Sequence, residues 1–113
     1  MKCTKPFEER KNEASKILRD HPGYVPVIVE KDEKSKTLPD IDNCKFLVPD
    51  DLSFQLFVLI VRKRLPISAR VSIFLFSNGK VPNMASTLGD LYTELHDEDR
   101  FLYFTYIEET PFG

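Results

Sequence analysis

Between Ser53 and Pro66 the chain reads Phe54-Gln55-Leu56-Phe57-Val58-Leu59-Ile60-Val61-Arg62-Lys63-Arg64-Leu65, a segment that cannot be left in water on all sides. Ser53 is placed to cap a helix over Phe54 to Leu65. Three cations sit at the negative end of its dipole, and Pro66 stops it. A buried strand would satisfy the same hydrophobic pattern, but the length and the cationic finish favour a helix. Because this helix is apolar nearly all round, one face must fill a core and another must meet something else.

The flanking segments supply the layer it needs. Pro6 to His21 predicts a helix whose apolar positions Ala14, Ile17, Leu18 and His21 recur at steps of three and four until Pro22-Gly23 stops the pattern. Tyr24 to Glu30 is short and β-branched, hence a strand, with Pro26 expected at its start or at an irregularity. Lys31 to Asn43 is polar and contains Pro39, which reads as a long loop. Lys45-Phe46-Leu47-Val48-Pro49 alternates, with Lys45 and Leu47 on one side and Phe46 and Val48 on the other. Ser72 to Phe76 predicts a strand entering an Asn78-Gly79 turn of the hairpin kind. Thr87-Leu88-Gly89-Asp90 has capping-box spacing ahead of a short helix carrying Leu88, Leu91, Tyr92 and Leu95 on one face. Phe101 to Ile107 predicts a last strand, and the residues from Glu108 on are expected to pack against nothing. A leading helix followed by β-β-α-β-α-β suits an α+β domain in which the long helix crosses one face of a mixed sheet.

With 113 residues the chain is one domain, and 42% hydrophobic residues allow a real core. Sixteen basic against eighteen acidic residues, net −2, argue against a dedicated nucleic-acid binder, so no nucleic-acid partner is expected. The start holds no apolar run fit for a secretion signal. The longest strictly apolar run, Leu56 to Val61, falls far short of the roughly 20 residues of a membrane span. A cytoplasmic protein is expected on these grounds, with Cys3 and Cys44 as free thiols. Charge is uneven: residues 1–23 carry six basic and four acidic groups, residues 85–113 one basic and seven acidic, which permits a basic N-terminal surface facing acidic partners.

Catalytic constellations are lacking. His21 and His96 each close a helix, where an imidazole suits the dipole, and neither accompanies a nucleophile motif. Asp40-Ile41-Asp42-Asn43 begins like a calcium loop but lacks the glycine and the distal glutamate. No metal, no cofactor and no enzymatic activity are expected. Arg62-Lys63-Arg64 reads as a solvated helix end before it reads as a lipid or nucleic-acid patch.

Pro6-Phe7-Glu8 with Arg10, Pro22, Val25-Pro26-Val27-Ile28-Val29-Glu30-Lys31, Lys45-Phe46-Leu47-Val48-Pro49, Leu52, Ile60, Arg62-Lys63-Arg64, Leu88-Gly89-Asp90-Leu91-Tyr92 and the terminal Gly113 follow one another along the chain. Taken in that order, these stretches resemble the autophagy ubiquitin-like modifiers, the family of the GABA-receptor-associated proteins and light chain 3. Tyr24, Asn43 and Cys44 depart from it, standing where basic residues are usual.

The resemblance implies a ubiquitin-like β-grasp fold with an N-terminal helical extension of two short helices. Residues 1–22 would form that extension, 24–107 the β-grasp core and 108–113 a flexible conjugation tail. It further implies a modifier whose Gly113 is adenylated by an activating enzyme, passed as a thioester through a conjugating enzyme, and joined to the amine of phosphatidylethanolamine on autophagosomal membranes. Cargo receptors and adaptors bearing short aromatic-x-x-aliphatic motifs are the implied partners, bound along a strand edge. The aromatic pocket maps onto Glu13, Ile17, Pro26, Ile28, Lys45, Leu47 and Phe101. The aliphatic pocket maps onto Phe46, Val48, Pro49, Leu52, Phe57, Ile60 and Arg64, which gives the surplus apolar face of the long helix something to meet. A trafficking or cytoskeletal adaptor with the same pockets and no lipid is the alternative.

Overall fold

Local signals set the ends of the elements. The computed structural model describes residues 5–109. Helix α1 (Phe7–Asp20) starts after Pro6, whose φ of −55° already suits a helix entry, and closes on His21. The stretch contains neither glycine nor a further proline. Among the described residues it is one unbroken helix, not the two short ones that the resemblance implies. Gly23, at φ +85°, then turns the chain into strand β1 (Tyr24–Lys31). Strand β2 (Lys45–Pro49), helix α2 (Phe54–Arg64), strand β3 (Ser72–Phe76), helix α3 (Leu88–Leu95) and strand β4 (Leu102–Glu109) follow.

Side chains cap the two later helices as their sequences indicate. The Ser53 hydroxyl accepts from Leu56 N–H and the Thr87 hydroxyl from Asp90 N–H, each at 3.2 Å. His21 and His96 are C-caps.

The four strands form one mixed sheet in the order β2-β1-β4-β3, with β1 and β4 parallel in the middle and antiparallel pairs on either side. Val29 N–H donates to the Cys44 carbonyl at 2.8 Å, so by alternation Val25, Val27 and Val29 turn their main chain toward β2. Pro26 therefore turns its nitrogen toward β4, whose pairing begins only one residue later at Val27–Leu102. The missing donor falls where there is no acceptor to miss it, and no irregularity is needed.

Strand β4 is shifted from expectation. It starts at Leu102 and continues to Glu109, because Glu108 and Glu109 find register partners in Ile73 and Ser72. Asn78 and Gly79 make the two-residue turn, at φ 52° and 76°, closed by Ser77–Lys80 hydrogen bonds in both directions. Among the described residues no strand returns from it; β3 pairs with β4 instead.

Register sorts the side chains. Val25, Val27, Val29, Phe46, Val48, Leu102, Phe104 and Tyr106 share the face under α2, where Phe54 and Phe57 lie 5.5 and 5.6 Å from the Phe104 ring. Phe46 meets Phe57 edge-on at 5.6 Å. Pro26, Ile28, Lys45, Leu47 and Tyr103 share the opposite face, toward α1. The 32–44 connection, expected as a polar loop, is part of the core. Leu38 and Ile41 are buried, and the Tyr106 hydroxyl donates to the Pro39 carbonyl at 2.6 Å.

Candidate functional site

Among the described residues, strand β2 is the outermost strand of the sheet, with β1 its sole neighbour. Since Cys44, Phe46 and Val48 turn their main chain inward to β1, Lys45, Leu47 and Pro49 turn theirs outward. Lys45 N–H is capped by the Asn43 side chain at 3.2 Å, and the Pro49 carbonyl accepts from Leu52 N–H at 3.2 Å. The Lys45 carbonyl and both polar groups of Leu47 take no partner among the described residues. This is a short margin with an unused acceptor, donor and acceptor in sequence.

Pro49 apart, the two predicted sets of residues lie on opposite faces of that margin. On the α1 side, Glu13 and Ile17 come from one face of α1, Pro26 and Ile28 from β1, Lys45 and Leu47 from β2, and Phe101 from the turn before β4. Leu47 is the exposed member, Glu13, Ile17 and Lys45 are half-buried, and Pro26, Ile28 and Phe101 form a floor. On the α2 side, Phe46 and Val48 point under the helix, Leu52 and Ile60 are half-buried and Arg64 is exposed; Pro49, also exposed, falls instead on the strand face of Lys45 and Leu47, since it is an even number of residues from both. Phe57 has no exposed surface and can shape a hollow only through its neighbours. The Arg64 guanidinium stands over the Phe46 ring, 5.2 Å from its centroid. The outward face of α2 shows Leu56 and Leu59, which neither set includes.

Main-chain contacts hold the Pro49–Leu52 turn to α3. Gly89 N–H donates to the Asp50 carbonyl and Leu88 N–H to the Leu52 carbonyl, both at 2.8 Å. A Cβ on Gly89 would lie 2.9 Å from that Asp50 oxygen, so only glycine permits the approach.

Polar contacts position α1. Lys45 Nζ donates to both carboxylate oxygens of Glu13, at 2.8 and 2.7 Å. One turn earlier Arg10 Nε donates to Asp99 Oδ2 at 2.8 Å. Asp99 is 1% exposed and also accepts from the Tyr103 hydroxyl and from Phe101 N–H. Burial pushes the Asp99 carboxyl up, but the hydrogen bonds from Tyr103, Arg10 and Phe101 outweigh it, and its pKa is lowered. Burial, and then the Asp99 carboxylate, push the Tyr103 hydroxyl in the opposite direction. One buried carboxylate thus places both α1 and Phe101. Nothing local in Asp97-Glu98-Asp99-Arg100 distinguishes it from a solvated charge run, and the sequence reading assigned it no role.

Cys44 is disulfide-bonded, against the expectation of a free thiol. Whether a thiol is oxidised depends on what the fold brings beside it, which compartment reasoning does not see. Cys3, Phe112 and Gly113 lie outside the described residues. No helix among the described residues is long and apolar enough to cross a membrane. None of their His, Cys, Asp and Glu side chains form a group of three or more able to hold a metal ion.

A family model described as autophagy protein Atg8, ubiquitin like, matches residues 9–113. The crystal structure of ATG8 from Trypanosoma brucei is similar at a TM-score of 0.88 and 38% sequence identity, over 97% of this chain and 94% of that one. A mixed four-stranded sheet crossed by α2 and preceded by α1 is the ubiquitin-like architecture. With that fold and a match over nearly the whole chain, the protein belongs to the Atg8 family of ubiquitin-like autophagy proteins.

Proposed function

We propose that this protein is a modifier that is joined through Gly113 to phosphatidylethanolamine and recruits receptors by strand addition at β2. The observation that carries the docking half is the outward-facing Lys45 and Leu47 main chain, flanked on opposite sheet faces by the two sets of residues. An added strand alternates its side chains, so two anchors three residues apart point to opposite faces. That is the spacing of an aromatic-x-x-aliphatic motif. Each anchor contributes roughly 1.5 to 3 kcal/mol gross by burial, and after ordering costs a micromolar affinity follows, about −8 kcal/mol.

Membership of the family and the terminal glycine support the conjugation half. A net charge of −2 offers no electrostatic hold on an anionic bilayer. A single acyl chain binds marginally, whereas a two-chain phospholipid anchors stably. In this reading the activating and conjugating enzymes of the pathway are partners in the cytoplasm, and the lipidated form resides on autophagosomal membranes. Incubation with those enzymes, ATP and phosphatidylethanolamine liposomes, followed by mass spectrometry, should give a lipid adduct with wild type and none with Gly113→Ala. Peptide binding without any adduct would instead identify a non-lipidated adaptor.

A further inference from the structure

We propose that Glu13 is a built-in counter-ion that limits how strongly the β2 margin favours acidic partner peptides, because its carboxylate already occupies the amine of Lys45. The inference rests on the docking reading of β2 and specifies its selectivity. Lys45 presents its carbonyl to the open margin and its side chain to the α1 face, so its amine stands beside the path of an added strand. Both Glu13 oxygens hold that amine, at 2.8 and 2.7 Å, and Lys5 Nζ lies 3.6 Å from one of them. Glu13 is not a loose surface side chain. Its neighbour Ala14 is fully buried, and Arg10, one turn before, is tied to the buried Asp99. Helix α1 therefore presents this carboxylate to Lys45 before any partner arrives.

A peptide carboxylate arriving at Lys45 must displace Glu13 or share the amine with it at close like-charge range. Either way it gains less than it would from an unpaired lysine. The pair is about a third exposed on each side, at 32% and 31%. Displacement is therefore feasible and the effect is one of grading, not exclusion. An uncharged flank meets no such competition.

The test uses the full chain and two peptides with the same aromatic-x-x-aliphatic core, one carrying glutamate and the other glutamine just before the aromatic residue. Calorimetry gives the affinity ratio of the acidic peptide over the neutral one. Glu13→Gln should raise that ratio about threefold, as should Glu13→Ala, and the gain should shrink as salt is added. In a Lys45→Gln background the gain should vanish, since no amine remains to compete for. A ratio unmoved by Glu13→Gln, or raised equally without Lys45, overturns the proposal and leaves docking intact. If neither peptide binds, the docking reading fails and takes this inference with it.

Discussion

Arg10 and Asp99 are 89 residues apart in the chain and meet at 2.8 Å, the guanidinium Nε donating to a carboxylate that is 1% exposed. The Tyr103 hydroxyl and the Phe101 N–H also donate to that carboxylate. The contact ties helix α1, an addition to the sheet domain, to the turn that delivers Phe101 to the α1 side of the β2 margin.

Asp99→Asn keeps the shape and loses the charge that Arg10 and Tyr103 address. It should lower stability by about 1 to 3 kcal/mol in urea titration. The pKa of Asp99 is depressed in the fold, so its contribution is present above the unfolded value and fades as pH falls through the folded one. Wild type should lose stability on acidification below about pH 4 more steeply than Asp99→Asn does. Equal slopes in acid would show that this carboxylate is not the linked group.

Gly89→Ala forces a Cβ to within 2.9 Å of the Asp50 main-chain oxygen, which cannot swing aside as a side chain would. A loss of about 1 to 3 kcal/mol is expected, even though alanine is the better helix former. Hydrogen exchange should rise in the Pro49–Leu52 turn, since Leu88 and Gly89 N–H hold its carbonyls. A variant as stable as wild type would show that α3 and the turn shift apart without cost.

Leu47→Pro removes an N–H that faces away from β1, so folding should survive while strand addition loses a main-chain donor. Leu47→Ala retains the donor and loses the side chain. Calorimetry with a neutral motif peptide should show the proline variant weaker than the alanine variant by about fivefold, one hydrogen bond's worth. Lys45→Glu should weaken an acidic peptide further. Equal affinities for the two Leu47 variants would argue that peptides do not add to this margin as a strand.

The Tyr106 hydroxyl, buried beneath the 32–44 connection, has its pKa pushed up to about 12 by burial and then by the charge of Asp40. A raised folded pKa means that stability is complete below the unfolded value near 10 and is lost as pH climbs toward 12. Tyr106→Phe should cost about 1 kcal/mol at neutral pH by orphaning the Pro39 carbonyl. It should also flatten part of the alkaline decline, readable by urea titration across pH 9 to 12.

Sequence alone determines the parts governed by neighbours in the chain. Ser53, Thr87, Pro66, Gly23 and the two histidines mark helix ends through capping and φ, which act within a few residues. The alternation of Lys45 to Pro49 likewise assigned each side chain to a face of its strand. Such signals say nothing about which strand lies beside which. The parallel pairing of β1 with β4, the ladder partners that extend β4 to Glu109, and the outermost place of β2 all depend on contacts between distant segments. So does the burial of Leu38, Ile41 and Asp99, which sit among charged neighbours and carry no local mark of the core. The disulfide at Cys44 belongs with them. A residue's own propensities act over one turn or one strand, whereas pairing, burial and the partner of a buried charge are properties of the packed whole, and they appear only once the chain has closed on itself.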